Sequence, residues 1–278
     1  MQSVRHQIEK ELSDFYPQGE LKVLVRMLLQ QVAGWSLVDM LTHNDLTLTA
    51  AQQMLIADAV ERLKRYEPIQ YILGAAEFDG MRLVVDARAL IPRPETAELV
   101  LLLAETLSPD ASVLDIGTGS GCIAVALAHR LPQAQVSAYD VSPDALALAA
   151  ENARNQGVKI DFRQVDILHD APADAPVFDA IVSNPPYVTD SERASMEANV
   201  LDYEPALALF VPDDDPLLFY RAIADFAWTH LSIGGRLFFE INHRFGAATA
   251  ALLQSKGFDK VSVLRDTFGK ERFVVARK

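Results

Sequence analysis

Val113-Leu114-Asp115-Ile116-Gly117-Thr118-Gly119-Ser120-Gly121 decides the fold: an apolar run of strand character ends in three glycines at alternate positions. Residues 121–130 then carry a helical pattern. Glycines at such a junction let the backbone turn sharply and lie against a ligand at the mouth of the next helix. Downstream, residues 135–140 read as a strand and 143–156 as a helix opened by Ser142-Pro143 and closed by Gly157. Strands are expected at 159–163 and 178–183, a helix at 216–231, a strand at 236–241, a helix at 245–256, and final strands at 259–264 and 271–277. Strand–helix alternation of this kind predicts an α/β fold with a mainly parallel, doubly wound sheet. Ligands of such sheets sit at the carboxyl ends of the strands.

Upstream the texture differs. Val4, Ile8, Leu12 and Phe15 recur at helical spacing, Leu21, Leu24, Val25, Leu28 and Val32 repeat the pattern, and Thr49 with Gln52 forms a capping-box signature before a helix reaching about Tyr66. Pro68, Gly74, Asp79-Gly80 and Pro92 then punctuate short apolar runs, and Asp-Gly between Phe78 and Met81 signals a hairpin. A helix follows Pro94, with Leu99, Leu102, Leu103 and Leu107 on its apolar face. The expected organisation is a helical domain over 1–72, a β-hairpin linker over 73–92 and an α/β domain over 93–278.

The glycine spacing narrows the ligand. A dinucleotide-binding turn reads G-x-G-x-x-G, whereas Gly117, Gly119 and Gly121 stand as G-x-G-x-G. Such a loop has no pyrophosphate to seat and suits the methionine tail and ribose of S-adenosylmethionine. Gly117, Thr118, Gly119, Ser120 and Gly121 are therefore candidate cofactor residues, and Asp140, ending the next strand, is placed to accept from both ribose hydroxyls. Asp166 and Ile167 follow the next strand and suit an adenine amino group and an adenine face; a loop turn explains Asp166 equally well. Cys122 reads as a small residue packed behind the loop rather than a nucleophile.

A second motif points to the acceptor. Asn184-Pro185-Pro186-Tyr187 directly follows the strand 178–183. Two prolines remove two backbone donors and stiffen the loop, leaving it rich in acceptors. The Asn184 side-chain oxygen and the Pro185 carbonyl are each placed to take one hydrogen of a substrate NH2, with Asn184 touching cofactor and acceptor alike, Pro186 holding the loop and Tyr187 packing on the flat face of the group. A planar amide or aniline-like nitrogen delocalises its lone pair. Accepting both hydrogens favours the pyramidal, positively charged transition state, so no strong general base is needed.

Composition removes other classes. The 278 residues carry 25 basic and 38 acidic side chains, net charge −13, which argues against broad attraction to nucleic acid. One cysteine permits no internal disulfide, the charged N-terminal stretch lacks a signal-peptide core, and no apolar window spans a membrane. The six histidines, His6, His43, His129, His169, His230 and His243, show no metal-ligand spacing. A cytoplasmic monomer without a metal is expected.

Beyond these readings the chain resembles the PrmC/HemK family of release factor glutamine methyltransferases. The resemblance rests on Ile91-Pro92-Arg93-Pro94-Glu95-Thr96, Pro68-Ile69-Gln70-Tyr71-Ile72-Leu73-Gly74, Asn184-Pro185-Pro186-Tyr187, Tyr203-Glu204-Pro205 and Leu207-Ala208-Leu209, and it covers nearly the whole chain. It implies a Rossmann-like, S-adenosylmethionine-dependent methyltransferase sheet. It also implies N5-methylation of the glutamine in the Gly-Gly-Gln motif of class I peptide-chain release factors, with the helical domain engaging that substrate. Arg93 and Glu95 would lie near the active site, although an ion pair bracing the linker explains them as well. The chain departs from the family's usual pattern at Ala97, Asn242 and Val211-Pro212. An adenine-N6 or other nucleobase amino methyltransferase is the alternative, since a base NH2 makes the same demands on Asn184 and Pro185.

Overall fold

The computed structural model describes residues 4–42 and 47–278; His43 and the first three residues lie outside them. The chain forms two compact units, Met1–Gly74 with Glu197–Tyr203, and Ala75–Met196 with Glu204–Lys278. Among the described residues no helix is long and apolar enough to cross a membrane.

The first unit contains α1 (Val4–Leu12), α2 (Gln18–Ala33), α3 (Leu37–Thr42), α4 (Ala50–Leu63) and α5 (Ile69–Leu73). Ile8, Leu12, Leu21, Leu24, Val25 and Leu28 form its core together with Ile56, Val60 and Leu63. The Thr49 hydroxyl accepts from the Gln52 backbone N–H and the Gln52 side chain accepts from the Thr49 N–H, the reciprocal capping box expected from sequence. Helix α4 stops at Leu63 rather than Tyr66, because Tyr66 takes φ +61 and cannot continue it. Tyr203 completes this unit by donating its hydroxyl to the Arg65 carbonyl at 2.8 Å.

The second unit opens with β1 (Ala75–Phe78) and β2 (Met81–Val84), joined by Asp79 and Gly80 at φ +50 and +74 as a tight two-residue hairpin requires. The hairpin buries Phe78, Met81 and Leu83 in the α/β core. The rest runs α6 (Pro94–Thr106), β3 (Ser112–Ile116), α7 (Cys122–Arg130), β4 (Gln135–Asp140), α8 (Pro143–Asn155), β5 (Asp161–Gln164), β6 (Phe178–Ser183) and β7 (Val188–Thr189). After α9 (Ala198–Leu201), which lies in the first unit, come β8 (Phe210–Val211), α10 (Leu218–His230), β9 (Leu231–Glu240), α11 (Gly246–Ser255), β10 (Asp259–Arg265) and β11 (Glu271–Arg277).

Seven strands make one sheet in the order β10-β11-β9-β6-β3-β4-β5. The pairs from β9 through β5 are parallel, and β11 is antiparallel to both β9 and β10. Strand β9 starts five residues earlier than periodicity suggests, at Leu231, where it pairs with Phe178 before a register shift. Strand residues buried on both faces, such as Val113, Leu114, Ile181, Val182, Phe238 and Phe239, explain why these strands read as continuous apolar runs. The parallel arrangement brings the carboxyl ends of β3, β4, β5, β6 and β9 to one edge.

One glycine of the loop is required by packing. A Cβ on Gly121, at φ +80, would lie 2.8 Å from the Ala149 Cβ on α8, whereas one on Gly117 would meet nothing within 4 Å. Gly121→Ala is therefore expected to destabilise by roughly 2–4 kcal/mol, and Gly117→Ala by only the backbone cost of roughly 1–2 kcal/mol. Urea unfolding of both variants without cofactor checks the ordering; equal losses would contradict the packing argument.

Candidate active site

Each carboxyl end delivers one element of the site. After β3 the chain turns with Gly117 and Gly119 at φ +74 and +56, and the Gly117 and Thr118 N–H groups both reach the Tyr139 carbonyl, at 2.8 and 3.1 Å. At the end of β4, Asp140 Oδ2 accepts from the Gly119 N–H at 2.8 Å and Oδ1 accepts from the Ser142 N–H at 2.9 Å. Burial raises its pKa, and the backbone donors oppose that rise. Beneath the loop, fully buried Asp115 accepts from the Thr118 hydroxyl at 2.7 Å, yet burial still lifts its pKa to about 7. Asn152, also fully buried, donates to the Ser120 and Val84 carbonyls and accepts from the Val84 N–H, tying the loop to the hairpin.

These turns wall a cavity of about 340 Å³. Its lining includes Gly117, Thr118, Gly119, Ser120, Asp140, Asp166, Ile167, Arg93, Asn184, Pro185 and Pro186, so the structure brings together most of the residues singled out from sequence. Val141, Val165, Leu168 and Phe219 add apolar surface. Gly121, Tyr187 and Glu95 are not in the wall. Gly121 serves helix packing, and half-buried Tyr187 packs against the core around Ile181 and Phe239 instead of offering its ring to the cavity.

Asp166 does two jobs. It lines the cavity, and its Oδ1 accepts from the Leu168 N–H while Oδ2 lies 3.0 Å from His169 Nδ1, an arrangement that holds its pKa down. Arg93 pairs with Glu204 at 2.6 Å, not with Glu95, and the other Glu204 oxygen accepts from the Ile91 N–H. The Glu204 side chain is 1% exposed. This buried bracket holds the 91–93 segment against the 204 loop.

Two side chains, Thr96 and Glu240, carry more than their sequence positions suggested. Thr96 donates to Glu240 Oε2 at 2.7 Å, Asn184 Nδ2 donates to Thr96 Oγ1 at 3.4 Å, and the Tyr187 hydroxyl donates to Glu240 Oε1 at 3.4 Å. Glu240 is 1% exposed, and burial is the main reason its pKa rises to about 7, with Thr96 and Arg272 opposing and Glu95 adding to it. A carboxylate ending the apolar run Leu237-Phe238-Phe239 was the available signal, since strand ends in such sheets are where ligands gather. Cys122 is partly buried with its thiol pushed up to about 12, unsuited to nucleophilic chemistry.

Residues 3–74 match the family described as PrmC N-terminal domain, and residues 97–202 that described as Methyltransferase small domain. The chain is 44% identical over 279 residues to the release factor glutamine methyltransferase of Bacteroides thetaiotaomicron, covering all of both chains. It is 41% identical to that of Flavobacterium psychrophilum over 99% of this chain and 98% of the other. The chain belongs to the release factor glutamine methyltransferase family. Among solved structures, a methyltransferase from Pyrococcus furiosus shares the fold, with TM-score 0.54, 16% identity and coverage of 83% of this chain and 99% of that one. A release factor-specific protein-(glutamine-N5) methyltransferase from Alicyclobacillus acidocaldarius is 28% identical over 68% of this chain and 94% of that one, with TM-score 0.41.

The departures from the family pattern have local accounts. Asn242 Nδ2 donates to the Tyr187 carbonyl at 3.2 Å and to Glu192 Oε2 at 3.0 Å, bracing the loop that follows Asn184. Val211 is buried and pairs in β8 with Thr189 of β7. Ala97 packs against the α/β core.

Next to the cavity wall, behind Thr96, thus lies a carboxylate that is costly to ionise. Because the folded pKa of Glu240 lies above its ordinary value, its contribution to stability is fully present below about pH 4.5 and is lost as pH rises through about 7. Glu240→Gln is expected to gain stability relative to wild type on going from pH 5 to pH 8, by at most about 3 kcal/mol. Thermal melts at both pH values check the sign; a gap that does not widen with pH would show that the carboxyl is not buried in this way.

Proposed function

We propose that this protein transfers the methyl group of S-adenosylmethionine to the side-chain amide nitrogen of the glutamine in the Gly-Gly-Gln motif of a class I peptide-chain release factor. The observation that carries the reading is the placement of Asn184. Its NH2 turns toward Thr96 Oγ1 at 3.4 Å, which leaves its Oδ1 as the acceptor for a substrate, in the same cavity wall as Gly119 and Asp140.

The residues present fit the cofactor. Gly117 and Gly119 expose backbone where a side chain would project. Asp140 Oδ1 and Oδ2 each use one lone pair on a backbone N–H and retain others for vicinal hydroxyls. Ile167, Val141 and Leu168 supply apolar surface for a flat base. When bound, S-adenosylmethionine supplies an electrophilic methyl carbon on a sulfonium. Asn184 Oδ1 and the Pro185 carbonyl accept the two amide hydrogens, orient the nitrogen lone pair and favour the charge that develops there. With the bonding electrons of the transferred methyl remaining on the sulfonium's sulfur, the chain would need no base: Asn184 and Pro185 would hold the nitrogen in line, and the surplus amide proton would leave to solvent.

A net charge of −13 supports a protein substrate over a nucleobase in a polyanion. The relatives in Bacteroides thetaiotaomicron and Flavobacterium psychrophilum are named for release factors, and the first unit, whose residues match the PrmC N-terminal domain, is the part we assign to engaging that substrate. One chain supplies the whole cavity wall, so a monomer suffices, and the cytoplasm, where release factors work, is its place of action.

Mass spectrometry of a class I release factor after incubation with the protein and S-adenosylmethionine should show one added methyl on the Gly-Gly-Gln glutamine. Asn184→Ala should cut turnover ~100-fold, on the scale of losing one oriented transition-state contact. Methyl label appearing in total nucleic acid and not in the release factor would overturn the assignment.

A further inference from the structure

Thr96 has one hydroxyl hydrogen, and that hydrogen decides how Asn184 sits. It is given to Glu240 Oε2 at 2.7 Å, so toward Asn184 the Thr96 oxygen offers only lone pairs. Asn184 therefore turns its NH2 to Thr96, at 3.4 Å. Turning the amide over would set Asn184 Oδ1 against those lone pairs and present the NH2, a donor, to the substrate. A 3.4 Å contact is weak as a bond. It is sufficient to choose between two orientations that differ only by exchange of O and N.

We infer that Glu240, acting through Thr96, is a positioning residue that sets the polarity of the Asn184 amide and so keeps its oxygen facing the glutamine NH2. This inference rests on the proposed function. A carboxylate can only accept, which drives the relay in one direction: Asn184 to Thr96 to Glu240. A neutral carboxyl can donate to Thr96, freeing the Thr96 hydrogen to point at Asn184 and the amide to invert. Glu240 is 1% exposed, and its protonation is set by its immediate surroundings. Those are Thr96 and Glu95 on α6, Cys122 on α7, Tyr187 after β6, Tyr220 on α10 and Arg272 on β11. The Cys122 thiol and both tyrosines are pushed up and stay neutral near pH 7, so Arg272 and Glu95 are the charges in that set. The carboxyl itself titrates at about 7. Turnover should thus rise with pH through that value.

The test measures kcat at saturating S-adenosylmethionine and release factor from pH 5.5 to pH 8.5, together with the side-chain resonance of Asn184 in protein carrying labelled asparagine, assigned by its loss in Asn184→Ala. In wild type, kcat and the Asn184 resonance should change with the same midpoint near 7. Glu240→Gln, verified as folded by its melt, should lose both transitions and show kcat lower by ~100-fold at pH 8, with a smaller change in KM. Thr96→Val should repeat the loss and Thr96→Ser should restore turnover, which a merely space-filling role would not require. The inference is overturned if Glu240→Gln keeps the wild-type acid limb, or if Thr96→Val turns over within about twofold of wild type. Asp115, which also titrates at about 7, would then be the source of the limb. If the wild type methylates no release factor while the Asn184 resonance still titrates and Glu240→Gln abolishes that change, the functional assignment fails and the relay stands.

Discussion

A parallel strand that ends must leave its last peptide groups to something other than the next strand, and this constraint organises the site. Five parallel strands terminate along one edge, and side chains take up the groups released there. Asp140 accepts from the Gly119 N–H, Ser183 donates to the Ile116 carbonyl at 2.6 Å, and Asn152 donates to the Ser120 carbonyl. Each of these bonds also fixes a loop of the cavity wall. The satisfied strand edge and the cavity wall are one structure.

The same edge concentrates buried acid. Asp115 and Glu240 are 0% and 1% exposed, and both titrate near 7 because burial penalises their ionised forms. Stability alone favours neutral side chains at both places, because a buried carboxylate costs more in lost hydration than its hydrogen bonds return. Glu240 accepts hydrogen bonds from Thr96 and Tyr187 and feels the charge of Arg272, and Thr96 in turn accepts from the Asn184 amide. In the relay we infer, orientation of the Asn184 amide is what this buried carboxyl supplies.

Asn242 and Val211, where the resemblance implied departures, take part in local bonding. Asn242 reaches the Tyr187 carbonyl and Glu192, whose carboxylate also accepts from the Thr189 N–H and hydroxyl. Val211 pairs with Thr189 in the short β7–β8 ladder. The loop that follows Asn184 is thus held from its far side by this network.

Sequence by itself determined what depends on neighbours in the chain. The G-x-G-x-G turn, the Thr49 cap, the Asp79-Gly80 hairpin and the strand runs 113–115 and 178–183 follow from glycine's access to positive φ, from side-chain reach over three residues and from burial on both strand faces. Strand–helix alternation then pointed to the carboxyl edge, where the cavity lies with Asp140 and Asn184 in its wall. Tertiary structure alone decided which of those residues face the cavity and which serve packing, as Gly121 and Tyr187 do. It also paired Arg93 with Glu204, 111 positions away, and Thr96 with Glu240, 144 away. Spacing along the chain specifies backbone conformation and side-chain face, but a hydrogen bond between distant segments exists only once the fold has brought them together.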